Sequence, residues 1–451
     1  MEIAGNQDHV TTMADATPLL PGVTSNWRWH VLSLLFLATA INYIVRASLA
    51  VLKPSLDLRF DWSQKDYGWV VTGFQAAYSL GYVFAGRGLD RIGIQIGLAL
   101  IVGVWSFAAI GHVLVSTILG FVVAQAALGL AEGGFFPAAI KTVAEWHPKQ
   151  ERAFATGLFN SGSSIGAVSC PIIVPWLATH WGWQSAFLVT GTLGIAWVAA
   201  WLWYCRLPPE QHPRVSTNEL AYIRSNPTEP VCEIPWAALL HHRQVWAFAL
   251  GMVASAPIWW FYIFWAPDFL NKRYHLGLTQ SSLPLVILFL AAGVGGIAGG
   301  WFSSHLIKLG WTVNAARKTA LLVCGLCVLP VIATPFAPNP WQAVALISLA
   351  AAAHCGYAAN LYTLVSDTVP PQAVSSVVGI GGMAGAIGGM VFAQIVSRVL
   401  QATNNNYFTP FAIAAVTYLI ALALIHILLP NLERISFNQQ GPQKPFLSST
   451  P

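Results

Sequence analysis

The chain has 451 residues, 56% of them hydrophobic and only 9% charged, with a mean hydropathy of +0.60. Soluble domains carry about 25% charged residues, so this composition excludes a soluble globular protein and places the chain in a bilayer. A net charge of +5, with the basic residues gathered at the ends of apolar runs, lacks the basic face that nucleic acid requires.

In chain order, residues 1–26 contain Glu2, Asp8 and Asp15 and no apolar core, which predicts a polar cytoplasmic tail and not a signal peptide. Apolar runs of spanning length follow at 27–52, 66–88, 93–113, 116–142, 152–178 and 184–205. After the polar segment 206–243 they resume at 244–271, 281–307, 315–337, 341–366, 373–401 and 406–430, and a polar tail covers 431–451. The pattern predicts an all-α membrane protein with twelve transmembrane helices in two six-helix bundles, 27–205 and 244–430, joined by a cytoplasmic linker. With the N-terminus inside, 15 Lys and Arg residues fall on the inner side and 6 on the outer side, which predicts that both termini are cytoplasmic. Gly162 and Gly166, Gly295/Gly296 and Gly299/Gly300, and Gly381, Gly385 and Gly389 form small-residue ridges suited to close helix contact.

The first run carries a single charge within the membrane, Arg46, at a cost of at least ~2.5–3.5 kcal/mol unless it finds a partner, water or a task. Thr39, Tyr43 and Arg46 share one helix face, and a guanidinium fork matches a carboxylate in two-point fashion. Alternatively, Arg46 snorkels to the outer surface from a position six residues before Leu52. Further hydroxyl, amide and imidazole candidates are Gln75, Tyr78 and Tyr82 in the second run, Asn160, Ser163 and Ser164 in the fifth, Tyr262 in the seventh, and His354, Tyr357 and Asn360 in the tenth. For each of these a helix–helix hydrogen bond competes with ligand contact.

Glu132 is the carboxylate well inside the fourth run. Intramembrane carboxylates commonly carry protons; a static counter-ion to Arg46 is the alternative. By helical rise, Arg46 lies ~22 Å and Glu132 ~12 Å above the inner ends of their runs, an offset that predicts no tight pair. The six cysteines, Cys170, Cys205, Cys232, Cys324, Cys327 and Cys355, form no disulfide framework. Cys324-x-x-Cys327 lies in an apolar run without nearby histidines, so neither a metal nor a cofactor is expected.

The stretch Gly86-Arg-Gly-Leu-Asp90-Arg91-Ile-Gly93 follows the second run, and a degraded copy, Gly300 to Gly310, follows the eighth. The 6+6 layout and the G-x-x-x-D-R-x-G loop resemble the major facilitator superfamily. Asn42-Tyr-Ile-Val-Arg46, Gly129-Leu-Ala-Glu132-Gly, Phe159-Asn-Ser-Gly162, His354-Cys-Gly-Tyr357-Ala-Ala-Asn360 and the glycine-rich 378–389 are similar to its anion:cation symporter branch, nearest the bacterial hexuronate transporters. The resemblance implies a multi-pass protein of the bacterial inner membrane. It also implies a proton-coupling role for Glu132 and an inner-gate brace at Gly86, Asp90, Arg91 and Gly93. Relatives usually carry an acidic residue where Val45 stands and a basic one where Gln125 stands. Losing both avoids the ~3–5 kcal/mol cost of stranding one buried charge. It also takes away one of two acidic groups that the family associates with coupling.

The expectation is a secondary active transporter that imports a sugar acid, a hexuronate such as galacturonate or glucuronate, or an aldonate, with protons. Its partners would be the organic anion, protons and the bilayer, and the protein would be monomeric. An uncoupled facilitator of the same anions and a non-transporting sugar-acid sensor remain as rivals. An enzyme is disfavoured, since no nucleophile, base and orienter stand at readable spacing and no phosphate-binding loop is present.

Overall fold

The computed structural model of the protein describes residues 25–148, 151–225 and 236–435. The tails beyond them, Cys232, and the side chains of residues 83–88, 90, 153, 371, 372 and 375 lie outside the described residues. Six long helices come first: α1 (Trp27–Phe60), α2 (Gln64–Ile92), α3 (Ile94–Gly111), α4 (Ile118–Trp146), α5 (Arg152–Trp181) and α6 (Trp183–Tyr204). The short α7 (Thr217–Ile223) and α8 (Trp236–Leu239) lie in the connecting segment. Then come α9 (Arg243–Tyr274), α10 (Ser282–Lys308), α11 (Val313–Val328, extended by a 3-10 turn to Phe336), α12 (Pro340–Thr368), α13 (Pro371–Ala402) and α14 (Phe408–Leu428). Eleven helices among the described residues are long and apolar enough to cross a membrane, one fewer than the twelve apolar runs. The exception is α2, whose 29 residues include Lys65, Asp66, Arg87, Asp90 and Arg91. It is wedged between α4 and α13, a position that demands less apolar surface than one facing lipid.

The packing repeats. In the first set α1 lies on α5, α2 on α4, and α3 on both α4 and α6. In the second, α9 lies on α13, α10 on α12, and α11 on both α12 and α14, the same scheme displaced by six long helices. The sets meet where α2 touches α13, α5 touches α10 and α1 touches α9, contacts that exchange or map onto themselves under a two-fold relation. Glycines set the closest approaches. A Cβ at Gly129 or Gly133 of α4 would collide with the carbonyls of Phe74 and Tyr78 on α2, so the helix carrying Glu132 is pressed against the one carrying Tyr78. Gly295 and Gly299 likewise press α10 onto Ala352 and Gly356 of α12. Gly300, grouped with them by sequence, faces open space.

Two boundaries differ from the sequence reading. Helix α1 does not stop near Leu52 but runs through Pro54 to Phe60, ending at Asp61 in the left-handed conformation (φ 52°). Lys53 and Asp57, one turn apart and 2.6 Å from each other, brace the helix across the proline. Arg46 therefore lies well inside α1, too deep to snorkel past the helix end. Gly86, Asp90 and Arg91 belong to the last turns of α2 and not to a loop; the chain turns at Gly93 alone (φ 80°) before α3 starts. Arg91 is exposed.

The start of α1 is anchored by the connecting segment. Glu219 of α7, fully buried, accepts from the backbone amides of Trp27 and Arg28 and pairs with the Arg28 guanidinium at 3.2 Å. A carboxylate at a helix N-terminus satisfies free amides and complements the helix dipole.

Candidate functional site

Between the two sets of helices lies a cavity of about 630 Å³. The first set contributes Thr39, Asn42, Tyr43 and Arg46 from α1, Tyr78 and Tyr82 from α2, Glu132, Phe135 and Phe136 from α4, and Asn160, Ser163 and Ser164 from α5. The second set contributes Ser255, Trp259 and Trp260 from α9, Phe289 and Gly293 from α10, His354, Cys355 and Tyr362 from α12, and Gly382 and Gly385 from α13, among others.

Arg46 is the electrostatic centre. Its Nε donates to Glu132 Oε2 at 2.8 Å and one terminal nitrogen donates to Asn42 Oδ1 at 3.0 Å. Four aromatic rings surround the guanidinium: Tyr43 at 4.9 Å, Tyr78 at 5.1 Å, Trp260 at 5.4 Å and Phe74 at 5.8 Å. Such a cage stabilises a cation through the ring quadrupoles and keeps bulk water away. The pair is incompletely satisfied, since Glu132 Oε1 and Asn42 Nδ2 are buried without a partner.

The close Arg46–Glu132 pair overturns the expectation of a ~10 Å offset. Helical side chains lean toward the N-terminus of their own helix. Because α1 and α4 run in opposite directions, the two side chains lean toward each other and close the gap.

On the opposite wall, His354 stacks face to face on Trp259, with centroids 5.2 Å apart and planes inclined by 5°. Its Nδ1 lies 2.7 Å from the Tyr418 hydroxyl, which fixes the imidazole plane. Ser163 donates to the Asn160 carbonyl at 2.6 Å, and the side chains of Asn160 and Ser164 are open to the cavity.

Among the described residues, the hydrogen bonds joining the two sets gather at one end. Lys53, fully buried, pairs with Asp268 at 2.7 Å as well as with Asp57, and its ammonium lies 5.0 Å from the Tyr67 ring centroid. The other oxygen of Asp268 accepts from Gln64 at 2.7 Å and from the Tyr407 hydroxyl. Gln64 also donates to Asn405, Tyr67 to the Phe264 carbonyl, and Gln394 to Thr72. Toward the other end, the cavity lining continues to Tyr82, Val378 and Gly382.

Of the residues read from the sequence, Tyr43, Arg46, Tyr78, Glu132, Asn160, Ser163, Ser164 and His354 come together on this cavity. Gln75, Tyr262, Tyr357 and Asn360 do not. Gln75 is buried in the α2–α13 interface beside Gly389. Tyr262 is buried within the second set with its hydroxyl unpartnered. Tyr357 donates to the Tyr418 carbonyl at 3.4 Å, and Asn360 bridges to the carbonyls of Gly299 and Gly356, both at 2.9 Å. At about 100° per residue, two or three positions along a helix are enough to turn a side chain from the cavity into a packing seam. Asn42, Trp259 and Trp260 were missed. The i, i+4 spacing of Asn42 and Arg46 was the available signal for the first. The tryptophans were hidden in an aromatic run that reads as interface belt. Gly93 sits at the turn already described and is not among the cavity-lining residues. The five described cysteines are free thiols.

Helices long enough to span a bilayer, arranged in two equivalent sets around a central cavity that holds a buried ion pair, define a membrane transport protein. The Major Facilitator Superfamily profile matches residues 35–393, and the chain belongs to that family of transporters. It is 30% identical to the hexuronate transporter of Escherichia coli K12, over 93% of this chain and 98% of that one. It is 28% identical to the probable galactarate/D-glucarate transporter of Bacillus subtilis, over 87% and 89%. Among solved structures, a bacterial homologue of the human lysosomal transporter Spinster, in an inward-facing and occupied conformation, superposes with a TM-score of 0.68 at 18% identity, over 90% of this chain and 96% of that one.

Proposed function

We propose that the protein imports a sugar acid, a hexuronate such as galacturonate or glucuronate, or an aldonate, across the bacterial inner membrane together with protons. The two bundles, 27–205 and 244–430, rock about the cavity, and both termini face the cytoplasm. The observation that carries this reading is the caged Arg46 guanidinium on the cavity wall, tied to a Glu132 carboxylate with one oxygen still unpartnered. The fork suits the substrate carboxylate, and the hydroxyl and amide groups of Tyr43, Tyr78, Asn160 and Ser164 suit a polyol.

Substrate and Glu132 compete for the same cation. A proton arriving on a Glu132 oxygen neutralises the carboxylate, weakens its hold on Arg46 Nε and frees the fork for the incoming anion. Loss of that proton on the cytoplasmic side restores the internal pair and expels the substrate carboxylate. The Lys53–Asp268 network closes the outer end in the state described, and the cavity is entered from the cytoplasmic end. The names of the curated relatives support a sugar acid as cargo.

A second reading, the uncoupled facilitator, is favoured by one observation. Val45 and Gln125 are buried and uncharged, which leaves Glu132 as the single carboxylate in the lining among the described residues. Uptake of labelled galacturonate into proteoliposomes, with and without an inward acid gradient, separates the two. Accumulation driven by the gradient is expected; equal downhill flux in both conditions would establish the facilitator.

A further inference from the structure

The charge in the cavity is one-sided. Arg46 and Glu132 both belong to the first set of helices, and none of the described residues that α9, α10, α12 and α13 present to the cavity carries a permanent charge. The far wall is instead the Trp259–His354 stack, Phe289 and small residues of α10 and α13. We propose that this one-sided lining makes the protein selective for sugar acids with a single carboxylate and excludes aldarates, which carry one at each end. The inference rests on the sugar-acid reading above and sharpens it, since relatives at similar identity carry names of both kinds.

The reasoning is one of charge pairing. One guanidinium serves one carboxylate. When the cavity closes around an aldarate, the second carboxylate has no cation among the described lining residues to meet it. A buried carboxylate without a positive partner loses its hydration and gains too little in exchange. The terminal hydroxymethyl of an aldonate, or the ring of a uronate, carries no such penalty. Either can lie against an aromatic face, and its hydroxyls find the uncharged groups already present. His354, with its ring stacked on Trp259 and its Nδ1 at the Tyr418 hydroxyl, offers a hydrogen bond on this wall but no permanent charge.

The test uses galactonate and galactarate, open-chain acids that differ only at the terminal carbon, with galacturonate as a third probe. Binding of each to the purified full-length protein is measured by calorimetry. Galactarate should bind at least ten-fold more weakly than galactonate. The Ile297→Lys variant, which adds a cation at an exposed lining position of the second set, should narrow that gap at least three-fold. Equal binding of the two acids, or preference for galactarate, overturns the selectivity and leaves the sugar-acid reading intact. A gap that persists unchanged in Ile297→Lys overturns charge as its cause. Failure of all three acids to bind overturns the sugar-acid reading itself, and this inference with it.

Discussion

Two buried ion pairs, similar in length, divide the work of this molecule. Lys53 and Asp268 stand 2.7 Å apart, and Arg46 and Glu132 stand 2.8 Å apart. The first pair joins the two sets of helices, and both oxygens of Asp268 are used, one by Lys53 and the other by Gln64 and Tyr407. The second lies inside one set, faces a cavity and leaves Glu132 Oε1 and Asn42 Nδ2 without partners. A pair between two bodies holds one arrangement of them in place. A pair beside a cavity stands where a ligand or a proton can reach it. Distance, burial and the number of unmet partners do not separate these roles, since Asp57 Oδ1 and Gln64 Oε1 beside the first pair are also unpartnered; the identity of the joined bodies does.

The comparison breaks most visibly at Asp268. Asp268→Ala removes one of the two carboxylates paired with Lys53 and the shared acceptor of Gln64 and Tyr407, and should cost about 1–3 kcal/mol, read as a lowered Tm in detergent. It should also raise the reactivity of a cysteine placed at Ser397, buried between α2 and α13 near that end, toward an impermeant maleimide. The double change Lys53→Met with Asp268→Leu should recover most of the stability, since apolar groups often replace a buried pair without loss. Failure of Asp268→Ala to alter either readout would remove the pair from any locking role.

Next in size is Arg46→Lys. An ammonium cannot reproduce the fork, and galacturonate affinity should fall at least 100-fold, about 2.7 kcal/mol. Affinity within three-fold of the parent would show that the substrate carboxylate sits elsewhere. Glu132→Gln should bind galacturonate at least as tightly as the parent, because the neutral amide no longer competes for Arg46, yet lose accumulation driven by a proton gradient; full accumulation would free Glu132 of the carrier role. The smallest effect is expected at Lys272, 3.7 Å from Asp57 and 37% exposed. Lys272→Ala should change stability by less than about 1 kcal/mol. A larger change would mean that the locking network extends to its solvent rim.

What could be read from the chain follows from how strong each signal is. Long apolar runs declare themselves, so the helices were legible to within a few residues at most ends. Arg46 and Glu132 were legible as individuals because a charge in an apolar run is costly. Their pairing was not, because height along a helix omits the lean of the side chains. Lys53 and Pro54 looked like the start of a loop, and only the burial of Lys53 against Asp268, 215 residues away, shows otherwise. Gln75, Tyr262, Tyr357 and Asn360 had the right chemistry, but the rotation of each helix against its neighbours turned them into packing seams. That rotation is set by contacts such as Gly299 against Gly356, which no local pattern encodes.

The position of α2 has a consequence for how the protein is made. This helix falls outside the set apolar enough to cross a membrane unaided, and its neighbours in the finished protein are α4 and α13. During synthesis it reaches the insertion machinery before either partner exists. The seam in which Gly129 and Gly133 of α4 press on Phe74 and Tyr78 can form only once α4 has emerged, and the contact with α13 only near the end of synthesis.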